Sequence, residues 1–527
     1  MSLVKKFMTV GGATLGSRLF GFARETAMAA ALGTGPVADV FYAAFRFPNL
    51  FRRLFAEGAF NAAFVPLFSK EIEENGLDGA KRFSEEVFGV LFSVLMLITI
   101  VMELSMPLLV RFIIAPGFVD DADKFSLTVR LAVVMFPYLM CMSLTAMLSG
   151  MLNSLHHFFA AAVAPIFLNV VMISALVYAL YHGAEPVDTA WYLSWSVLVA
   201  GVLQLLVVYI GVRHAGIRLG FRWPKFTPNV KRLLVLAVPA AITGGVTQIN
   251  LVIGQAIASS KDGAIAALQY ADRIYQLPLG VVGVAVGIVL LPELSRALKS
   301  GHEREASNIQ NRSIEFVLFL TLPAAVGLWV LSSDIIRVLY ERGAFTAHNT
   351  EIVGGILAWY GLGLPFFVMI KALQPGFYAR EDTKAPMRFT GIAVVVNSGL
   401  SLALFPILQE RGIAIAEAAA GVINTVLLFT MLLKRGHLQP DWPLAFRALR
   451  LLASALAMGA VLVLLSGYFA PYLQPGAHFL HKTVALFAQI ALAMVVYFGL
   501  AFATGGADLG MLRRNLKRKP KANRPET

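Results

Sequence analysis

Residues 17–57 read SRLFGFARETAMAAALGTGPVADVFYAAFRFPNLFRRLFAE. Two apolar helical runs flank a short break at Gly33-Thr34-Gly35-Pro36. Yet the stretch carries Arg18, Arg24, Glu25, Asp39, Arg46, Arg52, Arg53 and Glu57. A charge at the bilayer centre costs about 2.5–3.5 kcal/mol on the insertion scale, so four arginines at depth cost on the order of 10 kcal/mol. A membrane chain retains such residues where they face a watery or ligand-filled interior. Their predominance as arginine points to an anionic ligand, because the guanidinium fork binds phosphate bidentately and cannot lose its charge.

Helical periodicity of about 100° per residue sorts these side chains. Arg18 and Glu25, seven apart, fall on one face, and Ser17 and Arg24 fall together on a neighbouring one. Asp39, Arg46 and Arg53 form a seven-residue series on the second helix, with Asn49 and Arg52 beside it. With the first span starting near Phe7, Arg18 sits roughly 16 Å in, near mid-membrane. Arg53 is placed to snorkel to the interface.

Composition agrees with a membrane setting. The 527 residues are 58% hydrophobic and 14% charged, against about 25% charged in soluble domains. Apolar runs long enough to span occur fourteen times, from 7–32 and 37–68 to 444–470 and 480–504. The expected architecture is an all-α integral membrane protein of fourteen transmembrane helices. The single cysteine, Cys141, lies inside an apolar run, which excludes an intramolecular disulfide. Lys5-Lys6 before an apolar run imitates a signal peptide, but Arg18, Arg24 and Glu25 interrupt it, so it reads as a retained first helix.

Where the positive charge sits decides what the net +13 means. Lys and Arg collect on alternate connections: Lys70, Lys81 and Arg82; 213–232 (RHAGIRLGFRWPKFTPNVKR); 295–312; 379–388; 434–450; and the tail after residue 511. The other connections, GTGP, PGFVDDADK, HGAEPVD, SSKDG and LQERG, are poor in Lys and Arg, with 334–351 the exception. This asymmetry places both termini in the cytoplasm. It also disposes of nucleic acid as a partner, since the charge is topology signal and anionic-lipid contact.

The chain repeats itself. A shift of 226 residues aligns Pro66 with Pro292, Ser69 with Ser295, Arg111 with Arg337, Gly117 with Gly343, Ala146 with Ala372 and Gly150 with Gly376. The unit is six helices, so both copies share one membrane orientation and form a parallel pair around a central cavity. The expected lobes are 1–222 and 223–440, followed by two extra apolar helices at 441–505 and a basic tail at 506–527. The extra pair offers a groove for a lipid tail.

The second lobe contributes LQYADRIYQLP (268–278), in which Gln269, Asp272, Arg273 and Gln276 form one helical stripe. Arg273 is expected to face Arg18, Arg24 and Arg52, and several converging arginines suit a pyrophosphate. Asn169, mid-helix, is a candidate ligand contact, as is Asn49. Glu25, Asp39, Glu57 and Asp272 are candidates for charge coupling or gating. Glu103, Arg130, Lys371 and Glu417 read as interface anchors. Asp120, Asp121 and Asp123 form a solvated acidic loop. No Walker A motif, zinc spacing, nucleophile elbow or dinucleotide fingerprint occurs, so neither a cofactor nor a metal is called for and a transporter is expected rather than an enzyme.

The opening stretch through FNAAFVPLF and the later YADRIYQLPLGVVGVAVGIVLLPELS resemble the MviN/MurJ family of lipid II flippases, within the multidrug/oligosaccharidyl-lipid/polysaccharide exporter superfamily. The resemblance covers the whole chain. It implies the bacterial inner membrane, peptidoglycan synthesis and alternating access driven by membrane potential. The cargo it implies is undecaprenyl-pyrophosphate-linked disaccharide-pentapeptide, moved from the cytoplasmic to the periplasmic leaflet. It further implies that Arg18, Arg24, Arg52 and Arg273 are the essential cavity arginines, that Asp39 is important, and that Ser17, Asn169 and Gln269 line the cavity. Gln276 stands where some relatives carry Glu. The implied partners are membrane lipids and the cell-wall synthesis and division machinery, with the chain a monomer. A flippase for another polyprenyl-pyrophosphate-linked glycan stays open on charge alone. A multidrug exporter would favour carboxylates and aromatics for cationic drugs.

Overall fold

A computed structural model describes residues 3–54 and 60–507, with side chains throughout except at 3–11, 14, 51–54, 62, 238–247, 284–285 and 287–289. Every regular element among these residues is helical. That follows from the solvent, because backbone N–H and C=O groups in hydrocarbon must be satisfied within the segment itself.

The helices are α1 (Leu3–Leu32), α2 (Pro36–Leu54), α3 (Phe60–Leu104), α4 (Met106–Leu109), α5 (Ala122–Met135), α6 (Tyr138–Ser154), α7 (Phe158–Tyr181) and α8 (Pro186–His214). They continue as α9 (Pro228–Ala258), α10 (Ala264–Lys299), α11 (Glu303–Tyr340), α12 (Ala347–Tyr378), α13 (Lys384–Leu408), α14 (Glu410–Lys434), α15 (Trp442–Phe469) and α16 (Phe479–Ala503). Against the fourteen expected spans, ten helical segments among the described residues are long and apolar enough to cross a membrane. Two expected spans are broken: 84–114 passes from α3 through α4 into a π-helical turn at Val110–Ile114, and 125–152 divides into α5 and α6 at Pro137. Proline lacks the amide a continuous helix needs there. Helix α3 changes direction at Gly76, whose φ is 67°.

Two compact units are present. The first comprises residues 1–270, 340–349 and 398–413, and the second 271–339, 350–397 and 414–527. In the first, α1 packs on α7, α7 and α6 on α8, α3 on α6, and α2 on α5. Its core is aromatic: Phe64 stacks on Phe60 at 5.3 Å and on Phe83 at 5.6 Å. Met147, Met151 and Val208 complete it, all fully buried.

In the second unit α11 is the support for α15 and α16. Leu331, Leu451, Met458 and Tyr497 form a shared core, and the Tyr497 hydroxyl donates to the Phe319 carbonyl at 2.8 Å. At Gly459 a Cβ would lie 2.6 Å from Val326, so the absence of a side chain lets α15 approach α11 closely. Ions pin one end of this assembly. Arg312 bonds both Glu315 and Asp441, and Arg447 donates to Glu315 at 3.0 Å. Asp441 also caps α15 through the Leu444 amide at 2.9 Å.

Candidate binding site and its closed end

In the first unit the charged residues of α1 meet α7 and α2. Arg24 is buried, and its Nη1 donates to Asn169 Oδ1 at 3.0 Å. Its Nη2 donates to Glu25 Oε1 at 2.5 Å. The other Glu25 oxygen accepts from the Tyr42 hydroxyl at 2.8 Å. Asn169 Nδ2 donates to the Ser17 carbonyl at 3.2 Å, which fixes α7 across α1. Gly21 lies beneath this amide, where a Cβ would sit 3.7 Å from it, in ordinary contact. The guanidinium is thus held by Glu25 on α1 and Asn169 on α7, with Nε buried and unpartnered among the described residues.

This arrangement gathers Ser17, Arg24, Glu25 and Asn169 into one network. Arg18 is exposed and forms no ion pair among the described residues. Glu25 bonds Arg24 and Tyr42 and not Arg18, with which it shares a helical face. Asn49 and Gln269 are half-buried in the same unit. Asp272 and Arg273, also half-buried, belong to the second unit, where Gln276 donates to Asp272. The side chain of Arg52 and the whole of Glu57 lie outside the described residues.

Asp39 takes part in a second constellation, at the end of the first unit formed by the connection after α1. Fully buried on the first turn of α2, it accepts from the Gly263 amide at 2.5 Å and the Ala266 amide at 2.8 Å. These are unsatisfied donors at the start of α10, so α2 supplies the cap that α10 lacks in its own sequence. The carboxylate also lies at the positive end of the α10 dipole. Seven residues on, Arg46 Nε donates to Gln255 Oε1 at 2.7 Å, and Gln255 Nε2 donates to the Ile114 carbonyl at 3.1 Å. The heptad face of α2 therefore grips the end of α9 and the start of α10.

Around this face the backbone is drawn unusually close. A Cβ at Gly263 would lie 2.4 Å from the Thr34 carbonyl oxygen, and one at Gly33 would lie 2.5 Å from that of Ala344. Tyr270 donates to the Gly33 carbonyl at 3.0 Å and sits against Tyr42, Tyr340 and Phe345. Lys124 pairs with Asp262 and lies 4.2 Å over the Phe118 ring. Lys261 pairs with Glu410 at 2.7 Å.

Sequence reasoning missed Tyr42, Gln255, Tyr270 and Gly263 and read Gly33 only as a helix break. Tyr42 alone carried a signal, being one helical turn from both Asp39 and Arg46. Glu417 was read as an interface anchor, but it is half-buried and hydrogen-bonded by Tyr360. No group of three or more His, Cys, Asp or Glu among the described residues is arranged to hold a metal.

A family model described as lipid II flippase MurJ matches residues 28–484. A probable lipid II flippase MurJ of Rhizobium tropici is 79% identical over 519 residues, covering 98% of this chain and 97% of the relative. The lipid II flippase MurJ of Burkholderia cenocepacia is 36% identical over 513 residues, covering 96% and 98%. Among solved structures, a lipid II flippase MurJ in an inward closed conformation superposes with a TM-score of 0.76 at 25% identity, covering 97% of this chain and 99% of that one. An inward-facing multidrug resistance MATE transporter of the MOP superfamily shares the fold, with a TM-score of 0.64 at 15% identity over 80% of this chain and 94% of its own.

Proposed function

The chain belongs to the MurJ lipid II flippase family, and we propose that it carries lipid II from the cytoplasmic to the periplasmic leaflet of the bacterial inner membrane by alternating access, for cell-wall synthesis. The observation that carries the site reading is Arg24, a guanidinium enclosed among α1, α2 and α7 that retains an unpartnered Nε. Asn169 and Glu25 orient it, so its charge is fixed in place before cargo arrives, which cuts the ordering cost of binding.

The roles divide accordingly. Arg18, Arg24, Arg52 and Arg273 hold the pyrophosphate. Ser17, Asn49, Asn169 and Gln269 give hydrogen bonds to the headgroup. Glu25, Asp39, Glu57 and Asp272 couple charge or gate. The repeat supports lobes at 1–222 and 223–440, with α15 and α16 providing the lipid-tail surface.

Connections 33–36, 116–124 and 259–263, all poor in Lys and Arg, take part in the Asp39 constellation. By the positive-inside rule this closed end is periplasmic and both termini are cytoplasmic. Release of cargo then requires Asp39 to give up the Gly263 and Ala266 amides. The transporter acts as a monomer alongside the cell-wall machinery.

Two variants test this, Arg18→Ala and Arg273→Ala, in cells depleted of the wild-type protein. Lipid II is expected to accumulate on the cytoplasmic side at unchanged protein level. Normal periplasmic delivery by both variants overturns the site, and accumulation of a different lipid-linked glycan overturns the cargo.

A further inference from the structure

Glu25 divides its two carboxylate oxygens between two helices. One accepts from Arg24 on α1, and the other accepts from the Tyr42 hydroxyl on α2 at 2.8 Å. Acid and phenol are both closed to water, at 1% and 6% exposure. Tyr42 lies one helical turn from Asp39 and one from Arg46, so it shares the face of α2 that grips α9 and α10.

The ring of Tyr42 meets the closed end. It stands edge-on to that of Tyr270, with 5.7 Å between centroids and 88° between planes. Tyr270, fully buried on α10, donates to the Gly33 carbonyl at 3.0 Å, beside the close approach of Gly33 to Ala344. Arg24, Glu25, Tyr42, Tyr270 and Gly33 thus form one unbroken chain of contacts. It runs from the guanidinium of the cargo site to the backbone that shuts the far end.

We propose that Tyr42 is a positioning residue that transmits cargo binding at Arg24 to the closed end. The inference rests on lipid II as the cargo. A pyrophosphate contends with Glu25 for the same guanidinium, because each anion takes charge-assisted bonds from it. Glu25 is buried, and a buried carboxylate whose cation is drawn away has no water to compensate it. The donor on its other oxygen is the Tyr42 hydroxyl. Glu25 draws that hydroxyl in, and the Tyr42 ring withdraws from Tyr270. The donor on the Gly33 carbonyl then loses its packing, and the face of α2 that holds α10 loosens with it. By reciprocity, closure of that end weakens the hold on cargo by the same factor.

The full-length protein in proteoliposomes tests this, with Thr34→Cys in a Cys141→Ser background labelled by a membrane-impermeant maleimide. Retention of radiolabelled lipid II is measured on the same samples. Lipid II is expected to raise the labelling rate at least about fivefold, the lower end of ordinary coupling between sites. In Tyr42→Phe, which keeps the ring, the rise is expected to fall below about twofold while lipid II is still retained. Glu25→Gln keeps an acceptor for Tyr42 but removes the charge that contends with pyrophosphate, and it is expected to lose the rise too. Tyr270→Phe frees the Gly33 carbonyl directly, so it is expected to raise labelling without lipid II, the signature of lost packing alone. A rise in Tyr42→Phe equal to that of the wild type overturns the proposal, as does a wild type that retains lipid II and shows no rise. Loss of retention in Tyr42→Phe would place Tyr42 in the binding site itself and overturns it as well. A wild type that retains no lipid II overturns the cargo, and the proposal with it.

Discussion

The Ala344 amide donates to the Ala30 carbonyl oxygen at 2.8 Å, a backbone bond that ties the 340–349 connection to the last turn of α1. It forms because Gly343 precedes Ala344: with φ at +57°, Gly343 stands where a Cβ would lie 2.3 Å from that same oxygen. The internal repeat places a counterpart elsewhere in the chain. Gly117, the repeat equivalent of Gly343, donates its amide to Ser259 Oγ at 2.9 Å, and a Cβ on it would lie 2.5 Å from Ser259 backbone atoms. Ser259 is the repeat equivalent of Gly33. A close glycine approach thus occurs at both repeat positions, to main chain at Ala30 in one and with the Ser259 hydroxyl taking part in the other.

Gly343→Ala is expected to open the closed end. The left-handed φ alone costs a non-glycine residue about 1–2 kcal/mol, which is roughly a 5- to 30-fold change in the closed population. The clash with Ala30 adds to it. The readout is labelling of Cys introduced at Thr34, in a Cys141→Ser background, by a membrane-impermeant maleimide. Labelling is expected to rise and lipid II delivery to fall. Unchanged labelling would show that the close approach tolerates a methyl.

Asp39 has a graded expectation. Asp39→Ala strands the Gly263 and Ala266 amides, both buried, at about 1–3 kcal/mol for each donor left without an acceptor. Asp39→Asn keeps one carbonyl oxygen for one amide but loses the favourable charge at the α10 start. Lipid II delivery, normalised to protein level, is expected to fall in the order wild type, Asn, Ala. Equal loss in both variants would instead assign Asp39 a role that depends on its charge alone.

For Arg24 the structural and cargo roles separate in a double-mutant cycle. Arg24→Ala leaves Glu25 buried opposite Tyr42, and Glu25→Ala leaves Arg24 buried beside Asn169. Breaking a buried pair from either side costs about 3–5 kcal/mol. Both single variants are expected to lower the melting temperature in detergent. Arg24→Ala/Glu25→Ala is expected to recover much of that stability and none of the lipid II delivery. Delivery restored in the double variant would mean that Arg24 serves only to neutralise Glu25.

How much of this was legible in the sequence depends on which atoms carry each contact. The helices were legible because every run of apolar side chains long enough to span must be helical in lipid. The heptad face of α2 was legible too, since Asp39 and Arg46 lie seven apart. Their partners were not. Asp39 binds two main-chain amides and Gly343 approaches a carbonyl, and such groups exist at every residue. Glu25 and Arg18 share a face of α1, as a seven-residue spacing requires, but they are not each other's partners. Instead the side chains of Arg24 and Glu25 reach around α1 to each other, with Tyr42 and Asn169 fixing the ends, and a partner on another helix has no local signature. The break at Pro137 could be read only as a possibility, because prolines such as Pro165 remain inside helix here.

The connection between α12 and α13 yields a dependence on pH. Arg435 Nη1 donates to Asp382 Oδ2 at 2.6 Å, and the Lys384 and Ala385 amides donate to Oδ1 at 3.0 and 3.1 Å. The Arg435 hydrogen bond, with help from the amides, holds the Asp382 carboxyl below its ordinary range. A depressed carboxylate stabilises the fold above its unfolded value, near 3.9, and that contribution is lost as pH falls through the folded value. Asp382→Asn is therefore expected to melt lower than the wild type at pH 7, with the gap closing below about pH 4. His437 lies beside this pair, and burial together with Arg380 pushes its imidazole down. Its own contribution weakens as pH falls through about 6.5, which would overlay the Asp382 effect. Both proteins are best compared in a His437→Gln background. The pair is partly exposed, so 0.5 M salt is expected to shrink the gap at pH 7. A gap that persists unchanged to pH 3 would place the contribution of Asp382 in its shape rather than its charge.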